Sequence, residues 1–515
     1  MEINSNVINK NESQFLFEKS RSGKEGLFLP NRKLSHLDLA KAIPSNLKRS
    51  SEAHLPEVSE PELLRHFVNL SKKNFSVDTH FYPLGSCTMK YNPKIHEDIA
   101  QIPGFSFAHP LQPEAQVQGF LRVLGELAQA LCQLTGMDEF SLQPAAGAHG
   151  ELLGMMLTRA FHASRGEQKR NLVLVPDSSH GTNPASAAQY GYEVVQIPSN
   201  SKGCVDLAAL ASVLDDRVAC LMLTNPNTLG LFETEILKVR DLVRLKGALL
   251  YYDGANLNAL LGNVCPGNMG FDIVHLNLHK TFTTPHGGGG PGAGPVGVTK
   301  ELAPFLPNPQ IVQRDGKWML DYNRPQSIGK VRSFFGNTGI LLRAYVYIRM
   351  LGLEGLKRVS HDAVIAANYL KKKLGRVYEL AHEESCMHEF VLSASELATR
   401  YGVHAGDIGK RLLDYGFHAP TVHFPLVVKE AIMIEPTETE SKETLDAFCE
   451  AMFKIFKEVE ETPELVKTAP HSMPITRPDE VNAARQPVLS FRDFKSDEGR
   501  PWDSQSRAKD NSSHV

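Results

Sequence analysis

A chain of 515 residues, 42% hydrophobic and 22% charged, is long enough for two or three domains and has the composition of an ordinary globular protein. Its formal net charge of −3 argues against nucleic acid or an anionic membrane as the main partner, and no apolar run reaches the length of a membrane span. The opening MEINSNVINKNESQF shows no secretory signal, and seven scattered cysteines (87, 132, 204, 220, 265, 386 and 449) form no C-x-x-C pair, so the expectation is a reducing cytoplasm and no structural zinc.

In chain order, residues 1 to about 50 are polar and irregular and read as a surface-wrapping arm. A short helix is predicted over Glu60–Lys72, with Pro61 in its first turn and Leu63, Leu64, Phe67 and Leu70 at helical spacing. The stretch Phe81–Lys94, punctuated by Pro83, Gly85 and Pro93, is either a connector or a lid, and its residues favour the connector. A helix over Glu114–Thr135 carries Val117, Phe120, Leu121, Leu124, Leu127 and Leu131 on one broad face. Then Phe140–Gln143 is extended, Pro144 and small residues turn the chain, and a helix runs on from about His149. Ala146, Gly147 and Ala148 therefore fall at a helix N-terminus with almost no side chain in the way, which suits a phosphate; an ordinary tight turn is the commoner use of such residues.

Apolar, β-branched runs follow at 171–177, 192–198, 218–226, 247–256 and 271–278, with helical segments between them, including 178–189 and 233–246. Such alternation means βαβ units, a mostly parallel sheet and an α/β fold, whose ligands sit beyond the carboxyl ends of the strands. At those ends stand His180, Thr224, Asp253 and Lys280. Lys280 is followed by four successive glycines, Gly287–Gly290, and a lysine held at a strand end beside a pliable loop suits covalent chemistry with a carbonyl. Gly292, Gly294 and Gly297 match a G-x-G-x-x-G spacing, but Pro291 and Pro295 interrupt it and the chain beyond looks extended, so a dinucleotide fingerprint is rejected; no Gly-Lys-Ser/Thr closes a P-loop. From about Leu341 the pattern turns to amphipathic helix. A smaller α+β region follows, with strands over 388–394 and 431–438 and a long helix over Ser441–Glu458. The expected organisation is an N-terminal arm and loop (1–95), a large domain (96–350), a small C-terminal domain (351–485) and a polar tail (486–515).

Singly, Asp253 before Gly254 reads as a turn aspartate, His180 as a helix-start histidine and Thr224 as a cap. Together on one sheet edge they match what pyridoxal phosphate requires: phosphate donors, a flat group against the ring, an acid facing the pyridine nitrogen and an amine for the imine. Asp253 precedes Lys280 by 27 residues, room for a crossover and one further strand.

The segments YPLGSCTMKYNPK, QPAAGAHGE, SSHGTNPASA, YYDGANLNAL, HLNLHKTFTTPHGGGGPGAGPVGV and IEPTETESKETLDAF resemble those of the glycine dehydrogenase (decarboxylating) family, the P-proteins of the glycine cleavage system. Matching stretches run from about Arg32 to Arg485 and correspond to the carboxy-terminal half of the long, single-chain P-proteins. The resemblance implies the second, lysine-bearing subunit of the split form and the aspartate-aminotransferase type of fold (pyridoxal-phosphate-dependent transferase fold type I). It implies pyridoxal 5′-phosphate joined as an imine to Lys280, with Asp253 opposing the pyridine nitrogen and His180 stacking on the ring. Thr224 and His279 would line the cofactor pocket. It further implies glycine decarboxylation with transfer of the aminomethyl group to the lipoyl arm of H-protein, and a heterotetramer of two copies each of this chain and a homologous first subunit. The loop of Cys87 and Lys90 would lie near the site mouth, and Gly287–Gly294 would help to shape a channel for the lipoyl arm. The alternatives are another enzyme of the same fold, an aminotransferase or desulfurase, or a non-catalytic structural subunit.

Overall fold

The computed structural model describes residues 14–26, 42–51, 53, 55–287, 292–333 and 335–491. Most of the expected arm, residues 288–291 of the glycine-rich loop and the tail beyond 491 lie outside the described residues. The chain divides into two units, one made of residues 1–75 and 472–515 and the other of residues 76–471. In the first, helix α1 (Glu60–Ser71) forms where the leucine spacing predicts it. Glu62 accepts the Ser59 N–H at 3.0 Å and Pro61 sits in the first turn, where a missing N–H costs nothing.

The second unit is built on a seven-stranded sheet of β1 (Glu139–Ser141), β2 (Leu172–Pro176), β3 (Glu193–Ile197), β4 (Val218–Thr224), β5 (Leu249–Gly254), β6 (Ile273–Leu276) and β7 (Val296–Val298), in the order β1-β7-β6-β5-β4-β2-β3. Strands β2 to β6 pair in parallel, and β7 runs antiparallel to both β6 and β1. Every residue of β2, β5 and β6 is buried, which is why these strands read as continuous apolar runs rather than alternating ones. The strand order reverses between β2 and β4, and the crevice beyond their carboxyl ends is where such a sheet binds its ligand.

Helix α2 (Gln118–Thr135) lays Leu121, Leu124, Leu127 and Leu131 into the core and stops at Gly136, whose left-handed φ of 73° lets its N–H reach the Cys132 carbonyl at 2.8 Å. It starts later than the sequence suggests because Glu114–Gln116 forms a separate 3₁₀ turn. Helix α3 (Gly147–Ser164) lies flush on the sheet through Gly150 and Gly154. A Cβ on Gly150 would stand 2.7 Å from the Gly294 carbonyl oxygen, and one on Gly154 would stand 2.2 Å from the Tyr251 ring. That close approach carries Glu151, on the same face, to the carboxyl end of β5. Helix α4 (Thr182–Gln189) follows β2.

A hairpin of β8 (Gln310–Arg314) and β9 (Lys317–Asp321) precedes helix α5 (Thr338–Leu374), which kinks at Gly352. A four-stranded antiparallel sheet of β10 (Glu379–Leu380), β11 (Phe390–Ser393), β12 (Thr421–Val422) and β13 (Ala431–Ile434) then packs with helix α6 (Lys442–Glu461). Phe390, Leu392, Ile432, Ile434, Phe448 and Met452 form that second core. No helix among the described residues is long and apolar enough to cross a membrane.

Candidate active site

A cavity of about 200 Å³ opens at the carboxyl ends of β2, β4, β5 and β6. Asp253, near the end of β5, is 2% exposed and accepts hydrogen bonds from Asn183 Nδ2 (3.0 Å), Thr224 Oγ1 (3.3 Å) and the Ala255 N–H (3.1 Å). His275 Nε2 stands 3.4 Å from its other side. Burial alone would raise this carboxyl, but His275, the Ala255 amide and Lys280 outweigh it and hold Asp253 below the usual range, so it is ionised. Glu151 stands 3.9 Å from the same His275 nitrogen and takes the opposite setting. Burial and the Asp253 charge push Glu151 up to about 7, against the hydroxyls of Thr182 (2.9 Å) and Ser186 (3.2 Å) that donate to it.

Lys280 follows β6 by one turn and donates from Nζ to the Ser86 carbonyl at 2.7 Å. Gly147 and Ala148 of the α3 N-terminus also face the cavity, whereas Ala146 caps the helix and its carbonyl accepts the Gly150 N–H at 3.0 Å. A Cβ on Gly147 would lie 2.4 Å from Asn277 Oδ1, so only glycine leaves the backbone amides of this turn uncovered. Asn277 Oδ1 and His279 Nδ1 are buried without a hydrogen-bond partner. Burial, together with His286 and Lys280, lowers His279 to about 3, so its ring is neutral. His180 is exposed, with Thr182 Oγ1 2.8 Å from Nδ1 and the Phe424 ring edge-on at 5.7 Å.

The stretch Phe81–Lys94 is more than a connector. Thr88 and Lys90 are buried, and Ser86 lines the cavity. Lys90 Nζ donates to Glu438 (2.6 Å), Asn258 (3.0 Å) and Tyr347 Oη (3.2 Å). Burial would strip its proton, yet Glu438 and Tyr347 raise it above its ordinary value. Thr88 donates to Glu435 through N (2.9 Å) and Oγ1 (2.7 Å), and Asn256 Nδ2 does so at 2.8 Å. The Ser86 N–H donates to Glu389 at 2.7 Å. Glu389 and His388, just before β11, complete the lining.

The structure thus gathers His180, Thr224, Asp253, His279, Lys280, Gly147 and Ala148 around one cavity. Sequence reasoning missed Glu151, Asn183, His275, Ser86, His388 and Glu389. For Glu151 a signal existed, since it follows Gly147 and Gly150 on a helix face otherwise made of small residues. The others are brought in by long-range packing.

Residues 31–322 match the family described as Glycine cleavage system P-protein, and residues 359–475 match its glycine dehydrogenase C-terminal domain. A protein named probable glycine dehydrogenase (decarboxylating) subunit 2, from Caldanaerobacter subterraneus subsp. tengcongensis, is 59% identical over 94% of this chain and 99% of its own length. The chain belongs to the glycine cleavage system P-protein family. A solved glycine decarboxylase (P-protein) in inhibitor-bound form superposes with a TM-score of 0.67 at 22% identity, covering 81% of this chain and 93% of that one. Alanine–glyoxylate aminotransferase from Nostoc sp. superposes at 0.52 with 15% identity, over 74% and 96% of the two chains. The P-protein chain therefore has the aspartate-aminotransferase type of fold, a large, mostly parallel sheet with a small antiparallel C-terminal one.

Proposed function

We propose that this chain is the lysine-bearing subunit of a two-subunit P-protein, which decarboxylates glycine and passes its aminomethyl group to the lipoyl arm of H-protein. The reading includes pyridoxal 5′-phosphate held at Lys280, a homologous first subunit in a heterotetramer of two of each, and a cytoplasmic location. The observation that carries it is the convergence of the Lys280 amine, an ionised Asp253 and the bare N-terminus of α3 on one cavity.

The residues present fit the cofactor. The unpartnered His279 Nδ1, and the Gly147 turn that a Cβ would fill, are what a polar ligand with a phosphate would complete. When bound, pyridoxal phosphate supplies a carbonyl that captures an amine and a ring that accepts the electron pair left as carbon dioxide departs. Asp253, with its negative charge supported by three donors, would hold a proton on the ring nitrogen. Backbone amides at Gly147 and Ala148 would take the phosphate, aided by the helix dipole. His180 would pack against the ring, and Thr224 and His279 would border it.

The test is exchange of labelled bicarbonate into the carboxylate of glycine. An aminotransferase or desulfurase on the same fold would not catalyse it. Lys280→Ala is expected to abolish both the exchange and the attachment of cofactor fixed by borohydride; attachment that survives refutes the assignment of Lys280.

A further inference from the structure

Two further residues line the cavity. His388 is 2% exposed, and neither of its ring nitrogens has a hydrogen-bond partner. Glu389 is 3% exposed and receives one hydrogen bond, from the Ser86 N–H. Ser86 is also the residue whose carbonyl holds Lys280 Nζ. One peptide segment therefore touches the reacting amine with its carbonyl and Glu389 with its amide. Glycine, once bound, brings a carboxylate one carbon away from its own amine, and that carboxylate needs partners.

We propose that His388 and Glu389 form the dock for the carboxylate of glycine. The inference rests on the proposed function and names the substrate subsite of that site. Among the described residues that line the cavity, Lys280 is the sole lysine or arginine, so the lining itself offers a carboxylate no guanidinium. The available partners are neutral. Burial keeps His388 below its usual range, and burial together with neighbouring Glu435 raises Glu389 well above the carboxylate range. A protonated Glu389 donates from the oxygen that Ser86 does not occupy, and a neutral His388 donates from one ring nitrogen. Thr88 and Asn256 converge as donors on the neighbouring Glu435.

Neutral donors suit this reaction. A hydrogen bond with one ionised partner is already roughly twice as strong as a neutral one, and an arginine, ionised and bidentate, would grip the carboxylate most firmly before reaction. That grip would be lost as the group departs uncharged, so it would deepen the ground state without lowering the barrier. Two neutral donors orient the carboxylate and let it go.

The test titrates the cofactor-loaded, full-length protein, in the assembly in which it purifies, with glycine and with methylamine, the same amine without a carboxylate. The readout is the absorbance of the bound cofactor. Glu389→Ala and His388→Ala are each expected to weaken the glycine response by about tenfold or more while leaving that of methylamine within about threefold. Glu389→Gln, which keeps a neutral donor, is expected to hold glycine within about threefold of the unmodified chain. Equal weakening of glycine and methylamine overturns the dock and leaves these residues as support for the pocket. Loss of glycine binding in Glu389→Gln as large as in Glu389→Ala overturns the neutral-donor assignment. If the unmodified protein responds to methylamine but not to glycine, the dock falls while the cofactor site stands; if it responds to neither, the proposed function falls and takes the dock with it.

Discussion

The two sides of the cavity solve the same problem in opposite ways. On the sheet side, Asp253 is buried beneath three donors and a histidine and stays ionised. On the side of the small antiparallel sheet, Glu389 is as deeply buried, has one donor and a carboxylate neighbour, and is driven toward its neutral form. Burial penalises both charges alike, so the neighbouring charges together with the donors decide which carboxyl keeps its proton. One side presents a fixed charge to the cavity, and the other presents neutral polarity.

Breaking the pin on the small-sheet side gives the largest expected effect. Lys90→Met would leave Glu438 buried opposite no cation and release the Ser86 loop. Loss of one partner of a buried pair costs about 3–5 kcal/mol, read as a lower denaturation midpoint. An unchanged midpoint would mean that the ion pair does not hold the loop. On the sheet side, Asp253→Asn keeps shape and donors but removes the charge. Turnover of glycine is expected to fall roughly 10²–10³-fold, the scale on which one electrostatic group acts, with the cofactor still attached; undiminished turnover would remove Asp253 from the mechanism.

The smallest effect is a pH dependence. Glu151 in the folded chain sits at about 7, above its ordinary 4.5, so the folded state binds the extra proton. Its contribution to stability is complete below pH 4.5 and is lost as pH rises to about 7. Glu151→Gln should flatten this part of the stability profile of cofactor-free protein by about 1–3 kcal/mol between pH 5 and 8. A variant that follows the unmodified chain across that range would show that Glu151 does not bind the proton.

The two sides also differ in how far the sequence exposes them. Strand runs, strand-end residues and the glycine turn before α3 are local signals, and from them Asp253, Lys280, Gly147 and Ala148 were all legible. Burial of both faces of β2, β5 and β6 prints a plain apolar run. The hairpin of β8 and β9 was missed although Asp315-Gly316, both at positive φ, is a strong two-residue turn signal. The small-sheet side was not legible, because its contacts join residues far apart: Ser86 meets Glu389 across 303 positions and Thr88 meets Glu435 across 347. Nothing in the spacing of YPLGSCTMK announces that its amides will seat on glutamates from the last third of the chain.

The Ser86 loop sets a timetable for biosynthesis. Its partners Glu389, Glu435 and Glu438 are translated late, so a chain still on the ribosome has synthesised Lys280 and Asp253 long before the wall facing them can form. The cavity in its finished form therefore belongs after the synthesis of residue 438, the last of these three partners.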